Sequence, residues 1–284
     1  MKTTGVPARR RVGALITFYD LPAVQIWVAA AALGLGYSLQ SVGVAGARWV
    51  LALVAMGLLF MYLMAINDLY DIEIDSMKHE HSGLVTGAIT KREAEVAVAV
   101  SGFLGLAGSF LVSYWFFAFA VIIFLLSTLY SAPPVRFKKF YPYSTLGELA
   151  GGYFLFLLGF SIFSVPTPES YVATLVPALI AASMRLGHEA KYAEFDRATG
   201  KRTMAVVHGA KSVQRVVTVL PYAAVALAAA LFALGVFSLI LTALSLAFII
   251  LPTLIRKTIR AKGSLRPVSF VWGFLFFFLT IATL

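Results

Sequence analysis

Of 284 residues, 60% are hydrophobic and only 13% charged, with 23 phenylalanines and no cysteine. A soluble domain carries about 25% charged residues, so this surface cannot all face water, which excludes soluble enzymes and DNA-binding modules. The absent cysteine excludes disulfides, thiolate metal sites and cysteine nucleophiles, and the net charge of +10 takes its meaning from where the basic residues lie.

Apolar runs of about 20 residues, the length of a membrane-crossing helix, recur along the whole chain. They predict about nine spans, near 14–38, 48–66, 94–112, 115–131, 146–165, 171–188, 213–233, 236–255 and 268–284. The fold class is therefore all-α, a polytopic membrane protein with residues 1–284 as a single domain. Arg9, Arg10 and Arg11 before the first run resemble the start of a signal peptide. That run is too long for a signal core, so it reads as a retained first helix.

Every lysine and arginine except Arg48 and Arg185 lies on the N-terminal tail or on alternate connections after it. The positive-inside rule puts those segments, and hence the N-terminus, in the cytoplasm and the C-terminus outside. The basic surplus is a topology signal, and no nucleic-acid partner is needed to explain it.

The acids are the anomaly, because most share that cytoplasmic side. Asp68, Asp71, Glu73 and Asp75 follow span two, and Glu189, Glu194 and Asp196 follow span six. The two groups match in spacing, and each final Asp precedes the next helix by the same interval, at Thr90 and Lys211. Pro134 to Lys139 after span four pairs with Pro252 to Lys257 after span eight. Spans one to four and five to eight thus read as two parallel copies of a four-helix unit, an arrangement that builds a site between halves.

Asp68, Asp71 and Asp75 are spaced to lie on one helical face. Like charges there repel and meet the negative end of the helix dipole, whereas a divalent cation reverses the sign. Mg²⁺ takes hard oxygen ligands, commonly one or two carboxylates plus water and substrate phosphate. A solvated acidic turn is the plain alternative. In the second group Glu189 and Asp196 share a face, with Lys191 and Arg197 adjacent; an ordinary salt-bridged helix end is the alternative there. Two facing carboxylate clusters imply two Mg²⁺ ions on one polyanion.

Tyr130-Ser131-Ala-Pro133-Pro134-Val-Arg136-Phe-Lys138-Lys139 ends span four, since Pro-Pro cannot continue a helix. It delivers hydroxyls and cations to the cytoplasmic surface, where Arg and Lys beside a metal-bound diphosphate stabilise its charge. Simple topological anchoring is the alternative for Lys138 and Lys139. His79, His81, His188 and His208 show no metal-ligand spacing and read as solvated. Asp20, near the cytoplasmic end of span one, is a functional candidate as an intramembrane acid, or a polar contact to a neighbouring helix.

These residues resemble the UbiA superfamily of intramembrane prenyltransferases. The N-D-x-x-D-x-x-x-D motif of that family is met at Asn67, Asp68, Asp71 and Asp75, and its Y-S-x-P-P-x-R turn at Tyr130 to Arg136. Its second motif is met at Asp196-Arg197 and Gly200-Lys-Arg-Thr203, with Glu189 in place of the first Asp. Two departures stand out: His81-Ser-Gly83 replaces the usual Asn-Arg-Pro, and Tyr19-Asp20-Leu-Pro22 replaces Arg-Pro in the first helix. The second weakens 4-hydroxybenzoate as acceptor, and Leu146-Gly-Glu148 with Gly200 to Thr203 looks closer to the naphthoate-using branch.

The resemblance implies Mg²⁺-dependent transfer of a polyprenyl group from an allylic diphosphate to an aromatic, quinone-precursor acceptor, with diphosphate released. Asn67, Asp68 and Asp71 would bind one Mg²⁺ and Glu189 and Asp196 the other, with Asp75 and Glu194 ligating or orienting the shell. Asp68, Asp71, Asp75, Asp196 and Lys191 would be catalytic. Asn67, Tyr130, Ser131, Arg136, Lys138, Lys191 and Arg197 would bind substrate. The implied partners are the prenyl diphosphate, a lipophilic or aromatic acceptor and membrane lipid, at a plasma-membrane site opening to the cytoplasm. Two alternatives stay open: prenyl transfer to geranylgeranylglyceryl phosphate, forming an ether, and, from another class, a secondary transporter.

Overall fold

In a computed structural model the structure describes residues 25–40, 48–77 and 83–259. The expected ninth span, the first eleven residues of the first span (14–24), and Asp20, His79 and His81 lie outside the described residues. The described elements are all helical: α1 (Gln25–Leu39), α2 (Arg48–Met77), α3 (Lys91–Phe110), α4 (Tyr114–Ser131), α5 (Tyr143–Phe160), α6 (Pro168–Ala173), α7 (Leu175–Lys191), α8 (Ala193–Ala198), α9 (Met204–His208), α10 (Ala210–Ala233) and α11 (Leu239–Ile259), with a 3₁₀ turn at Phe137–Lys139. Among them, five stretches are long and apolar enough to cross a membrane: α2, α3, α4, α6 with α7, and α10.

Helix starts follow side-chain chemistry. Thr90 caps α3 by accepting the Glu93 N–H while Glu93 reaches back to the Thr90 N–H, satisfying donors that a helix start leaves unpaired. Ser113 caps α4 through the Phe116 N–H. Helix α2 does not stop near residue 66; it continues to Met77, so the first acidic motif forms its last turns. Span six is broken at Thr174 into α6 and α7. The chain breaks again at Tyr192, which places Glu189 and Asp196 on successive helices rather than on one face. Pro252 lies inside α11, where a turn was expected.

The main core is built from α1, α2, α4, α5, α7, α10 and α11, around Leu59, Phe116, Phe156, Leu158 and Leu241. Outward faces carry Phe103, Phe110, Tyr114, Val219 and Tyr222, all exposed. Helices apolar both inside and outside suit a lipid surround. The most extensive helix contacts are α2 with α3 and α7 with α10, the second and third helices of each expected repeat. Helices α1 and α5 cross so closely that a Cβ on Gly34 would strike the Phe156 backbone and one on Gly159 the Ala31 backbone. Without water to drive association, such backbone approach is how membrane helices gain packing energy.

Candidate active site

The last turns of α2 point their acids inward. Asp71 and Asp75 are buried, whereas Glu73 on the opposite face is exposed. Asp68 is half-buried beside Asn67. Burying carboxylates needs compensating charge, and the turn after α4 supplies it. Lys138 Nζ lies 2.7 Å from Asp71 Oδ2 and donates to Asn67 Oδ1 at 2.8 Å. Arg136 Nη2 donates to Asp71 Oδ1 at 3.0 Å and to the Tyr70 carbonyl at 2.6 Å. Ser131 Oγ donates to Asn67 Oδ1 at 3.3 Å.

The turn is shaped for this delivery. After Pro133-Pro134 the chain turns back, with the Arg136 N–H donating to the Ala132 carbonyl at 3.0 Å. Arg136 adopts left-handed backbone, φ 47°, at a cost of about 1–2 kcal/mol for a residue with a Cβ. Its two side-chain bonds offset that cost. Arg136 Nε is buried and has no acceptor, so the guanidinium still has a donor to offer an anion. Lys138 is 4% exposed; burial pulls its ammonium down to about 8, opposed by Asp71 and aided by Arg136 and Lys201.

The second half contributes through α7, α8 and the loop beyond. Glu189 is fully buried; its Oε1 lies 3.2 Å from Arg185 Nε and its Oε2 accepts the Met204 N–H at 3.0 Å. Arg185 also places its guanidinium 5.9 Å from the centre of the Tyr130 ring. The Tyr130 hydroxyl donates to Glu148 Oε1 at 3.0 Å. That ring packs close against α5 because residue 147 is glycine; a Cβ there would come within 2.8 Å of its edge. Asp196 is buried, with Lys201 Nζ 3.5 Å from its Oδ1.

Backbone bonds hold the two halves together here. The Arg202 N–H donates to the Lys139 carbonyl and the Tyr141 N–H to the Arg202 carbonyl, both at 2.7 Å. The structure thus gathers Asn67, Asp71, Ser131, Arg136 and Lys138 into one cluster, with the loop carrying Asp196 fastened beside it. Glu194, Lys191 and Arg197 are exposed, and the Lys191 ammonium sits 4.7 Å from the Tyr192 ring centre. His188 and His208 are exposed as well. Arg185, Glu148 and Lys201 receive no role in the site from sequence, although Glu148 and Lys201 fall in segments that carry the family resemblance and Arg185 is a basic residue inside an apolar span.

The donor set fits a hard cation. Amide and carboxylate oxygens, with no sulfur or imidazole among them, are the ligands Mg²⁺ takes, and it needs only one or two carboxylates when phosphate and water complete its shell. Among the described residues no three His, Cys, Asp or Glu side chains form a ready cage.

Residues 26–281 match the model of the UbiA prenyltransferase family. The chain belongs to that family. It is 30% identical over 164 residues to chlorophyll synthase of Arabidopsis thaliana, an alignment covering 53% of this chain and 41% of the relative. The matched stretch thus spans less than half the length of that curated relative. A UbiA homologue from Archaeoglobus fulgidus, solved bound to GPP and Mg²⁺, superposes with a TM-score of 0.77 at 22% identity, covering 95% of this chain and 97% of that one. A structure described for digeranylgeranylglyceryl phosphate synthase gives a TM-score of 0.62 at 22% identity, covering 95% of both chains. At these identities the structural likeness establishes the UbiA fold.

Proposed function

We infer that the protein is a Mg²⁺-dependent intramembrane prenyltransferase that moves a polyprenyl group from an allylic diphosphate to an aromatic, quinone-precursor acceptor. The observation that carries this is the burial of Lys138 between Asn67 and Asp71, with Arg136 alongside holding an unused donor. Alternating acids and cations at one end of an apolar bundle suit a diphosphate head with an isoprenoid tail.

Asn67, Asp68 and Asp71 would hold one Mg²⁺, and Asp196 a second. When bound, the ion supplies Lewis-acid neutralisation of the diphosphate charge. Glu189, engaged by Arg185 and the Met204 N–H, steadies the loop that bears Asp196. Arg136 and Lys138 take up the charge that collects on diphosphate oxygen as the allylic C–O bond breaks. Apolar helix faces hold the tail and exclude water that would quench the cation. The acceptor's electron-rich carbon then forms the new C–C bond and releases its proton. Nine spans, a single unit over 1–284, a cytoplasmic N-terminus and a plasma-membrane site opening to the cytoplasm complete this reading.

The test is incubation of detergent-solubilised protein with radiolabelled geranylgeranyl diphosphate, Mg²⁺ and, separately, dihydroxynaphthoate, 4-hydroxybenzoate and geranylgeranylglyceryl phosphate. The reading expects a prenylated aromatic product that is lost with EDTA and in Asp68→Ala and Asp196→Ala. Product only from the glyceryl phosphate would replace it with ether formation. No product from any acceptor, together with substrate movement across liposomes, would replace it with a transporter.

A further inference from the structure

One face of α5 carries Gly147 and Gly151 a turn apart, and each receives an aromatic ring. A Cβ at 147 would come within 2.8 Å of the Tyr130 ring edge, and one at 151 within 3.4 Å of the Trp27 indole. Glu148 is a helix-surface neighbour of Gly151, three residues on, and its Oε1 accepts the Tyr130 hydroxyl at 3.0 Å. The carboxylate is thus tied to one ring and lies a turn from the seat of the other.

Glu148 differs from other acids of the site in what holds it. Both oxygens of Asp71 are taken by cations, and those of Glu189 by Arg185 and the Met204 N–H. Among the described residues Glu148 forms no ion pair, and its side chain has one hydrogen bond, from the neutral Tyr130 hydroxyl. Its Oε2 therefore keeps lone pairs for a further proton. The site it adjoins is the diphosphate cluster: Ser131, next to Tyr130, donates to Asn67.

We propose that Glu148 is the general base of the transfer, with the acceptor against the Trp27 and Tyr130 rings and its hydroxyl on Glu148 Oε2. This rests on the prenyltransferase reading and assigns the destination of the proton that reaction releases. As the allylic C–O bond breaks, its electron pair leaves on diphosphate. The acceptor's O–H proton passes to Glu148 while its ring carbon bonds the allylic carbon. The ring ketone so formed becomes aromatic again by moving its C–H proton to oxygen, so one proton is released in all. Glu148 then returns that proton to water. Ring walls suit a planar acceptor, since aromatic faces and edges attract one another; an isoprenoid tail would gain nothing from the carboxylate.

The test uses full-length protein with Mg²⁺, geranylgeranyl diphosphate and the aromatic acceptor that wild type prenylates. Glu148→Gln keeps an oxygen for the Tyr130 hydroxyl but cannot take a proton. Its kcat should fall about 10²- to 10⁴-fold, the worth of a positioned base, while calorimetry gives unchanged affinity for inorganic diphosphate. Glu148→Ala should be as slow, and added formate should restore part of the lost rate. A kcat close to wild type in Glu148→Gln, a parallel loss of diphosphate affinity, or no rescue by formate would each overturn the proposal. Wild-type protein that prenylates no aromatic acceptor would instead overturn the reading on which it stands.

Discussion

Asp71 of α2 and Lys138 of the turn after α4 meet in a buried ion pair of 2.7 Å, and Asn67, one helical turn earlier on α2, accepts a second bond from the same ammonium. The acids of the first motif and the cations of the Pro-Pro turn are therefore one unit. Which groups carry charge in that unit depends on pH.

Lys138 holds its proton below about 8 and loses it above, because burial disfavours the ammonium. For the free enzyme, kcat/KM for the donor should fall as pH rises through that value. Lys138→Arg, which keeps its charge, should hold kcat/KM flat to about pH 10. A break near pH 8 that persists in Lys138→Arg would assign it to another group.

Asp71→Asn preserves shape while removing the charge that Arg136 and Lys138 face. Loss of a charge-organising group at the reacting centre costs about 10²–10³ in kcat. We expect that drop with the protein still folded, seen as an unchanged elution profile in detergent. A loss under threefold would place the reaction elsewhere.

Arg185→Met strands Glu189 as a buried carboxylate, since its remaining partner is the Met204 N–H. Breaking a buried ion pair from one side costs about 3–5 kcal/mol, so the thermal midpoint should fall steeply. Arg185→Met with Glu189→Met should regain most of it. A double variant no more stable than Arg185→Met alone would show that the ion pair is not the cause.

Gly34→Ala adds a Cβ that would strike the Phe156 backbone. Because no flexible side chain can yield there, α1 and α5 must separate, at a cost of about 1–3 kcal/mol. Thermal inactivation should come earlier than in wild type, while Gly57→Ala, which meets nothing, should leave it unchanged.

Much of this was legible from residue order. The Asn67 to Asp75 spacing set the acids on one face, and the repeat interval placed the start of the next helix at Thr90, the residue that caps α3. The Tyr130 to Lys139 segment read as a turn bearing cations. What escaped depends on tertiary contact. Arg185 is a lone charge in an apolar run until α7 packs beside α5 and sets it against the Tyr130 ring, whose hydroxyl bonds Glu148. Lys201 sits among basic loop residues that topology alone explains, and its burial beside Asp196 is what the fold adds. The breaks at Thr174 and Tyr192 carry no glycine or proline at the break itself, and Pro252 reads as a stop although α11 runs through it. Those local signals were outweighed by packing.

The central claim is that acids from both halves serve one diphosphate. The most direct measurement is a double-mutant cycle on kcat/KM for the donor, using Asp71→Asn, Asp196→Asn and the combined variant. Groups acting as one unit are strongly non-additive, so the combined loss should fall well short of the product of the single losses. Losses that multiply would mean two independent sites and would contradict the account.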